Sequence, residues 1–369
     1  MRMIYPENLE DIALGATVLG TGGGGDPYIG KLMALQAIRQ SGPVQLLDVS
    51  EIDDDAVIAQ TAMMGAPTVM VEKLPNGREI VSALLSLQSY LGKKIDYTTS
   101  AEAGGINSTI PFTVAARLGL PMVDADGMGR AFPELQMVTP TLYGIAATPM
   151  AIADEKGNSA VINASTNRWT ETIARTITID MGSTALIALY PMTGRQLKES
   201  MIAGTLTKAE LIGRTLREAR AAHRDPIRAV LDVTGGFEIF RGKVHDVQRR
   251  TERGFARGEA TLEGTDGDES SRLTLHFQNE NLVAIHDGEI IVSVPDLITV
   301  LDAETGDPIT TEGLRYGFRV VVIGIGCHPK WRTAAGLEVV GPRYFGYDVD
   351  YVPVEERFAT NQAREGGER

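Results

Sequence analysis

The stretch DYTTSAEAGGINSTIPFTVAARLGLPMVDADGMGR, residues 96–130, changes its periodicity three times. Asp96 to Ala103 is β-branched and apolar enough for a strand, and Gly104-Gly105 turns the chain. Ser108 to about Leu118 carries helical spacing, and Pro121 to Asp126 returns to extended character before Gly127. A strand, helix, strand order of this kind predicts a layered α/β domain.

Upstream, Leu9, Ile12, Ala13, Ala16 and Leu19 fall at helical spacing, so an amphipathic helix over residues 7–19 is expected. The run Gly20-Thr21-Gly22-Gly23-Gly24-Gly25 follows. Asp26-Pro27 then supplies a cap and a first-turn proline for a second helix, which Ser41-Gly42-Pro43 stops. Strands are predicted at Val44–Val49 and Ala56–Met64, and a helix at about Gly77–Leu91.

Downstream, Ala151–Ile162 reads as a hairpin turning at residues 155–158. Arg168–Ile179 reads as a helix, Thr184–Tyr190 as a strand, and the chain to about Arg224 as helical. Capping boxes at Thr193/Gln196 and Thr207/Glu210 mark the starts of that helical region. From about Gly235 the texture changes to short strands separated by Gly, Asp and Asn, including Leu273–Phe277 and Leu282–Ile285, which predicts a compact sandwich or barrel.

The expected fold is therefore a three-layer α/β/α N-terminal domain followed by a β-rich C-terminal domain. Its segments are residues 1–168, then 169–234 packing on the α/β part, then 235–358, and a disordered tail at 359–369. A chain of 369 residues exceeds the size at which one core usually stops growing. With 43% hydrophobic and 22% charged residues it is ordinary globular material.

A formal net charge of −13, with no long basic stripe, disfavours nucleic acid and anionic membrane as partners. Arg249-Arg250-Thr251-Glu252-Arg253 is the one basic run, and it contains its own acid. The single cysteine, Cys327, rules out an intrachain disulfide and a Cys-cluster zinc site. With no apolar run of signal-peptide or membrane-spanning length, a cytoplasmic location is expected.

Asp124-Ala125-Asp126-Gly127-Met128-Gly129-Arg130, with Glu134 beyond it, is the sharpest chemical signal. On a strand, Asp124 and Asp126 project from one face at the C-terminal end, where open α/β sheets bind ligands. Two neighbouring carboxylates form an acid/base pair or a hard-metal site. Gly127 permits a tight turn, and Arg130 is placed to hold a substrate carboxylate, or else to salt-bridge the acids.

Glu102-Ala103-Gly104-Gly105-Ile106-Asn107-Ser108 repeats the layout on the same rim, with Glu102 as a further acid. Asn107 or Ser108 suits a helix cap. The bare amides of Thr21, Gly22, Gly23, Gly24 and Gly25 could meet an anion, a carboxylate or a polar ring. A nucleotide is not expected, because no Lys-Ser/Thr follows the glycines and no strand precedes them. No ligand set demands a metal, although a divalent ion held by the acids would lower the pKa of a bound water. None of His223, His245, His276, His286 and His328 sits at the helical spacing of a metal pair, and Cys327 reads as a buried thiol beside His328.

The segments LGTGGGGDPY, AEAGGINS, DADGMGRAFPE and VGPRYFGYDVDY together resemble the S-methyl thiohydantoin desulfurase family over about Leu9 to Val354. The resemblance implies a three-layer α/β domain followed by a β-rich domain, with Arg343, Tyr347 and Asp348 in the latter. It also implies hydrolytic removal of sulfur from C2 of a small-molecule thiohydantoin ring, giving a hydantoin and a thiol. Asp124, Asp126 or Glu102 would then be the base, and Gly104, Gly105, Asn107 and the glycine-run amides would contact substrate. The alternatives are a non-catalytic partner of a hydantoinase-type protein, and a nucleotide-dependent enzyme using the glycine loop. A homo-oligomer is expected.

Overall fold

A computed structural model describes residues 1–65, 69, 73, 77–252, 254–265 and 269–358. The predicted tail at 359–369 lies outside them. The first half contains, in order, β1 (Arg2–Ile4), α1 (Pro6–Leu19), α2 (Pro27–Ser41), β2 (Val44–Leu47), β3 (Val57–Gly65), α3 (Arg78–Leu91), β4 (Tyr97–Ser100) and α4 (Ile110–Leu118). It continues through β5 (Met122–Val123), β6 (Ala125–Asp126), α5 (Thr139–Leu142), β7 (Met150–Ala153), β8 (Ser159–Ile162), α6 (Asn167–Asp180) and β9 (Thr184–Thr193). Then come α7 (Gly194–Ser200), β10 (Ile202–Ala203), α8 (Thr205–Ala221) and α9 (Pro226–Thr234).

Among these, eight strands form one sheet in the order β1-β2-β5-β4-β3-β9-β7-β8. Its centre, β2-β5-β4-β3, is parallel, and the flanking pairs are antiparallel. Both faces are covered, as alternation along β3 shows. Ala59 and Met63 pack with Ile80, Leu84 and Leu87 of α3 and with Ile110 and Val114 of α4. Ile58, Ala62 and Met64 belong instead to the cluster on the other face, which includes Ala174 of α6 and extends into the second half of the chain as far as Leu297 and Ile323. The parallel strands end at Leu47, Ser100 and Val123, so the Glu102 and Asp124–Arg130 segments leave the sheet on one rim.

The second half supplies β11 (Phe237–Glu252), β12 (Phe255–Gly264), β13 (Arg272–Gln278), β14 (Glu280–His286), β15 (Glu289–Ser293), β16 (Leu297–Asp302), β17 (Pro308–Ile309) and β18 (Arg319–Ile325), then α10 (Ala334–Val340). Its eight strands run β15-β14-β13-β12-β11-β18-β16-β17, all antiparallel, around a core that includes Val244, Leu262, Leu275, Val300 and Val322. Among the described residues no helix is long and apolar enough to cross a membrane.

Two local expectations need correction. The strand predicted at Pro121–Asp126 is broken at Asp124, and its second piece, β6, pairs with β10 in a separate ribbon. The Thr193/Gln196 capping box forms, but the Thr207/Glu210 box does not. Helix α8 starts two residues earlier, behind Gly204, so Thr207 lies inside its first turn.

Candidate functional site

The glycine run joins α1 to α2, and Thr21, Gly22, Gly24 and Gly25 all have positive φ, of 49°, 86°, 69° and 73°. It is a rigid joint between the two halves. The Thr21 hydroxyl donates to the Ile298 carbonyl (3.0 Å) and accepts from the Ile298 N–H (3.1 Å). The carbonyls of Thr21, Gly22 and Gly24 accept from the N–H groups of Asn281, Thr311 and Ile106. Side chains are excluded by close approach. A Cβ at Gly23 would lie 2.1 Å from Glu280 Oε1, and one at Gly24 would lie 2.6 Å from the Gly104 Cα. Gly22 and Gly23 thus abut β14, and Thr21 is buried against β16. Among the described residues, the N–H groups of Gly24 and Gly25 have no hydrogen-bond partner.

The segment after β4 meets this joint from the α/β side. Asn107 does not cap a helix; α4 begins three residues later. Its Oδ1 accepts from the Met63 N–H (2.7 Å), while its Nδ2 donates to the Met63 carbonyl (3.2 Å) and to Glu102 Oε1 (2.6 Å). Ser108 Oγ accepts from the Gly104 N–H (3.2 Å), and Gly105 packs on the Gly25 carbonyl.

Between these segments lies a recess of about 70 Å³, enough for several waters or a small ring fragment. Gly24, Glu102, Asn107 and Glu280 line it together with Met128 and Phe132. Glu102 comes from the α/β half and Glu280 from the first position of β14. Burial pushes the Glu102 carboxyl up to about 7, against the hydrogen bond from Asn107 and the N–H of Phe132. Burial likewise raises Glu280 well above the usual carboxylate range, and the charge of Glu102 adds to the shift while Arg130 opposes it. Glu280 Oε2 is buried with no hydrogen-bond partner among the described residues. Two acids so placed cannot both ionise easily, so near neutrality the pair holds a proton.

Both folded pKa values lie above their unfolded values, so the folded state binds protons more tightly between the two. The pair's contribution to stability is therefore greatest below about pH 4.5 and falls as pH rises through 7. Glu102→Gln is expected to lose less stability than the native chain between about pH 5 and pH 8, as read by urea unfolding at each pH. An unchanged pH dependence would place the pair's proton elsewhere.

The two aspartates have other work. Asp124 Oδ1 accepts from the N–H groups of Leu206 (2.9 Å) and Thr207 (3.2 Å), and Oδ2 accepts from the Thr207 hydroxyl. It caps α8 and does not line the recess, which corrects its expected role as a base. Asp124→Ala should cost about 1–2 kcal/mol of stability in a denaturant titration and leave kcat near the native value. Asp126 Oδ1 accepts from the N–H groups of Met128 and Gly129, both at 2.5 Å, and so shapes the turn that Gly127 begins. Burial raises Asp126 to about 6. It stands behind Glu102, whose pKa its charge raises, rather than in the recess wall.

Arg130 is also corrected. It is fully buried, and all five of its N–H donors are taken. They go to the carbonyls of Ala131 (2.9 Å), Pro295 (2.9 Å), Asp296 (2.6 Å) and Asn281 (3.5 Å) and to Thr21 Oγ1 (3.5 Å). No donor remains for a substrate carboxylate.

Sequence reasoning missed Glu280. The only available signal was the polar quartet Gln278-Asn279-Glu280-Asn281 interrupting two apolar runs. Glu134 also lines the recess and accepts from the Tyr344 hydroxyl (2.8 Å) and Gln136 Nε2 (2.5 Å). Cys327 is buried, its thiol pushed up to about 12, and neither it nor His328 lines the recess. Arg343 pairs with Asp348 (2.5 Å) and Asp350 (3.1 Å) at the surface. Among the described residues no group of three or more His, Cys, Asp or Glu side chains is arranged to hold a metal ion.

Comparison with known proteins adds to this geometry. The model of the S-Me-THD-like N-terminal domain matches residues 7–164, and that of the S-Me-THD-like C-terminal domain matches residues 165–354. A protein from Chromobacterium violaceum, solved by X-ray crystallography, is 25% identical, with a TM-score of 0.82 over 96% of this chain and 100% of that one. No curated protein matches the chain.

Proposed function

Because the chain belongs to the S-Me-THD-like family, whose domain models span residues 7–354, we propose that it hydrolyses a small cyclic amide or thiohydantoin-like ring, releasing sulfur from C2 as a thiol and leaving a hydantoin. The observation that supports this reading is the pair of buried carboxyls on one recess, both raised above the ordinary carboxylate range by burial.

The surroundings assign roles: Glu102 accepts hydrogen bonds from Asn107 and the Phe132 N–H, which suit a carboxylate, while Glu280 Oε2 accepts none among the described residues. Glu102 takes one proton from water as its oxygen bonds to C2 and the C2=N π pair moves to the ring nitrogen. Asn107 holds that carboxylate in place. Glu280, still protonated, donates its proton to the sulfur as the C–S bond breaks, the remaining hydroxyl proton passes to the ring nitrogen, and the proton on Glu102 returns to Glu280, so the products are the hydantoin carbonyl with its ring N–H and a neutral thiol. The unpartnered N–H groups of Gly24 and Gly25 are the donors available to the charge that develops on the tetrahedral carbon's substituents. Arg130 keeps net positive potential behind both acids without touching substrate.

Thiol release from an S-methyl thiohydantoin, followed with a thiol-reactive chromophore, tests the reading. With Glu102 as a base near 7 and protonated Glu280 as the acid, kcat/KM should rise with pH up to about 7 and fall once Glu280 ionises. Absence of thiol release across that range from a folded protein would contradict the proposal.

A further inference from the structure

A second recess, of about 530 Å³, opens on the β-rich sheet and includes neither acid of the first. Strand register builds it. In β11 and β12, Gln248 lies opposite Glu259 and Arg250 lies opposite Arg257. In β12 and β13, Glu259 lies opposite His276. Side chains alternate along a strand, so Arg250, Arg257, Glu259 and His276 share one face.

Two arginines directly opposed across an antiparallel pair repel each other, an arrangement that costs stability unless an anion lies between them. The nearby acids do not remove the repulsion. Glu252 pairs with Arg250 at 3.3 Å, and Glu259 faces His276 at 3.6 Å. Arg257 has no carboxylate within salt-bridge distance among the described residues, and its guanidinium lies 5.9 Å from the Phe255 ring. Arg249, between Gln248 and Arg250 on the strand, turns its guanidinium to the other face, onto the carbonyls of Glu312 (2.6 Å) and Leu314 (3.0 Å). Opposite stand aromatic surfaces, Phe345 and Tyr347, with the Tyr347 hydroxyl hydrogen-bonded to His276 Nδ1 at 3.1 Å.

We propose that this groove binds a small molecule carrying an oxyanion on a planar ring, the oxyanion between Arg250 and Arg257 and the ring against Tyr347. A net charge of −13 repels a polyanion far more than a small anion, which favours a small molecule over nucleic acid or an acidic protein. The inference does not depend on the hydrolase reading.

Isothermal titration of the full chain with phenyl phosphate and with inorganic phosphate tests it. Both should bind saturably, phenyl phosphate about three- to tenfold more tightly because its ring gains the aromatic contact. Arg257→Gln should weaken both at least about tenfold, and Tyr347→Leu should abolish only the preference for the ring. Glu102→Gln should leave both affinities unchanged. No saturable binding of either probe, equal affinity in Arg257→Gln, or loss in Glu102→Gln would each overturn the assignment.

Discussion

Glu280→Gln is expected to lower kcat for thiol release by about 10²–10⁴-fold, the usual contribution of a positioned general acid, with little change in melting temperature. The amide is close in shape to the protonated acid and equally uncharged, so the buried site loses a transferable proton and little else. With the rising limb unchanged, the pH profile should lose its falling limb, which the ionisation of Glu280 sets. Both readouts matter, because a merely structural Glu280 would change the melting temperature and leave that limb in place. A kcat within about threefold of native, in a folded variant, would take the acid role away from Glu280.

Arg130→Ala is expected to cost about 3–5 kcal/mol, the range for breaking a buried charge network. The loss would strand the carbonyls of Pro295, Asp296 and Asn281 in the junction and remove the positive charge that faces Glu280, Asp296 and Glu102. It would also remove the guanidinium that lies 4.3 Å over the Phe132 ring. Such a loss is a large part of a typical domain's stability of about 5–15 kcal/mol, so the alanine variant is expected to accumulate poorly. Arg130→Lys, with three donors in place of five, should be recoverable and still destabilised in urea unfolding. A lysine variant as stable as the native chain would show that the junction is held by something else.

Much of the architecture was legible because it is local. The change from extended to helical spacing across Gly104-Gly105, the capped proline after the glycine run, and the close succession of short strands after Gly235 are all written in neighbouring residues. What failed was nonlocal. Thr207 and Glu210 have the spacing of a capping box, but Asp124, distant in sequence, supplies the cap, and Glu210 instead meets Arg2 and Asn8. Arg130 among acids looks like a surface ion pair, and only the folded chain shows its guanidinium turned into the joint between the halves. Glu280 looks like part of a turn, because its importance comes from a glycine loop more than 250 residues earlier that leaves room for its carboxyl. Of the three acids expected to act as base, Asp124, Asp126 and Glu102, only Glu102 lines the recess.

The central claim is that two acids, one from each half of the chain, share a proton across the glycine joint. Carboxyl ¹³C chemical shifts of glutamate-labelled protein, followed from about pH 4 to 9, test it most directly. The account predicts one glutamate resonance titrating near 7 that disappears in Glu102→Gln, and a second, lost in Glu280→Gln, titrating well above the ordinary carboxylate range. If every glutamate carboxyl titrated in the ordinary range near 4.5, the shared proton, and the acid/base chemistry built on it, would be contradicted.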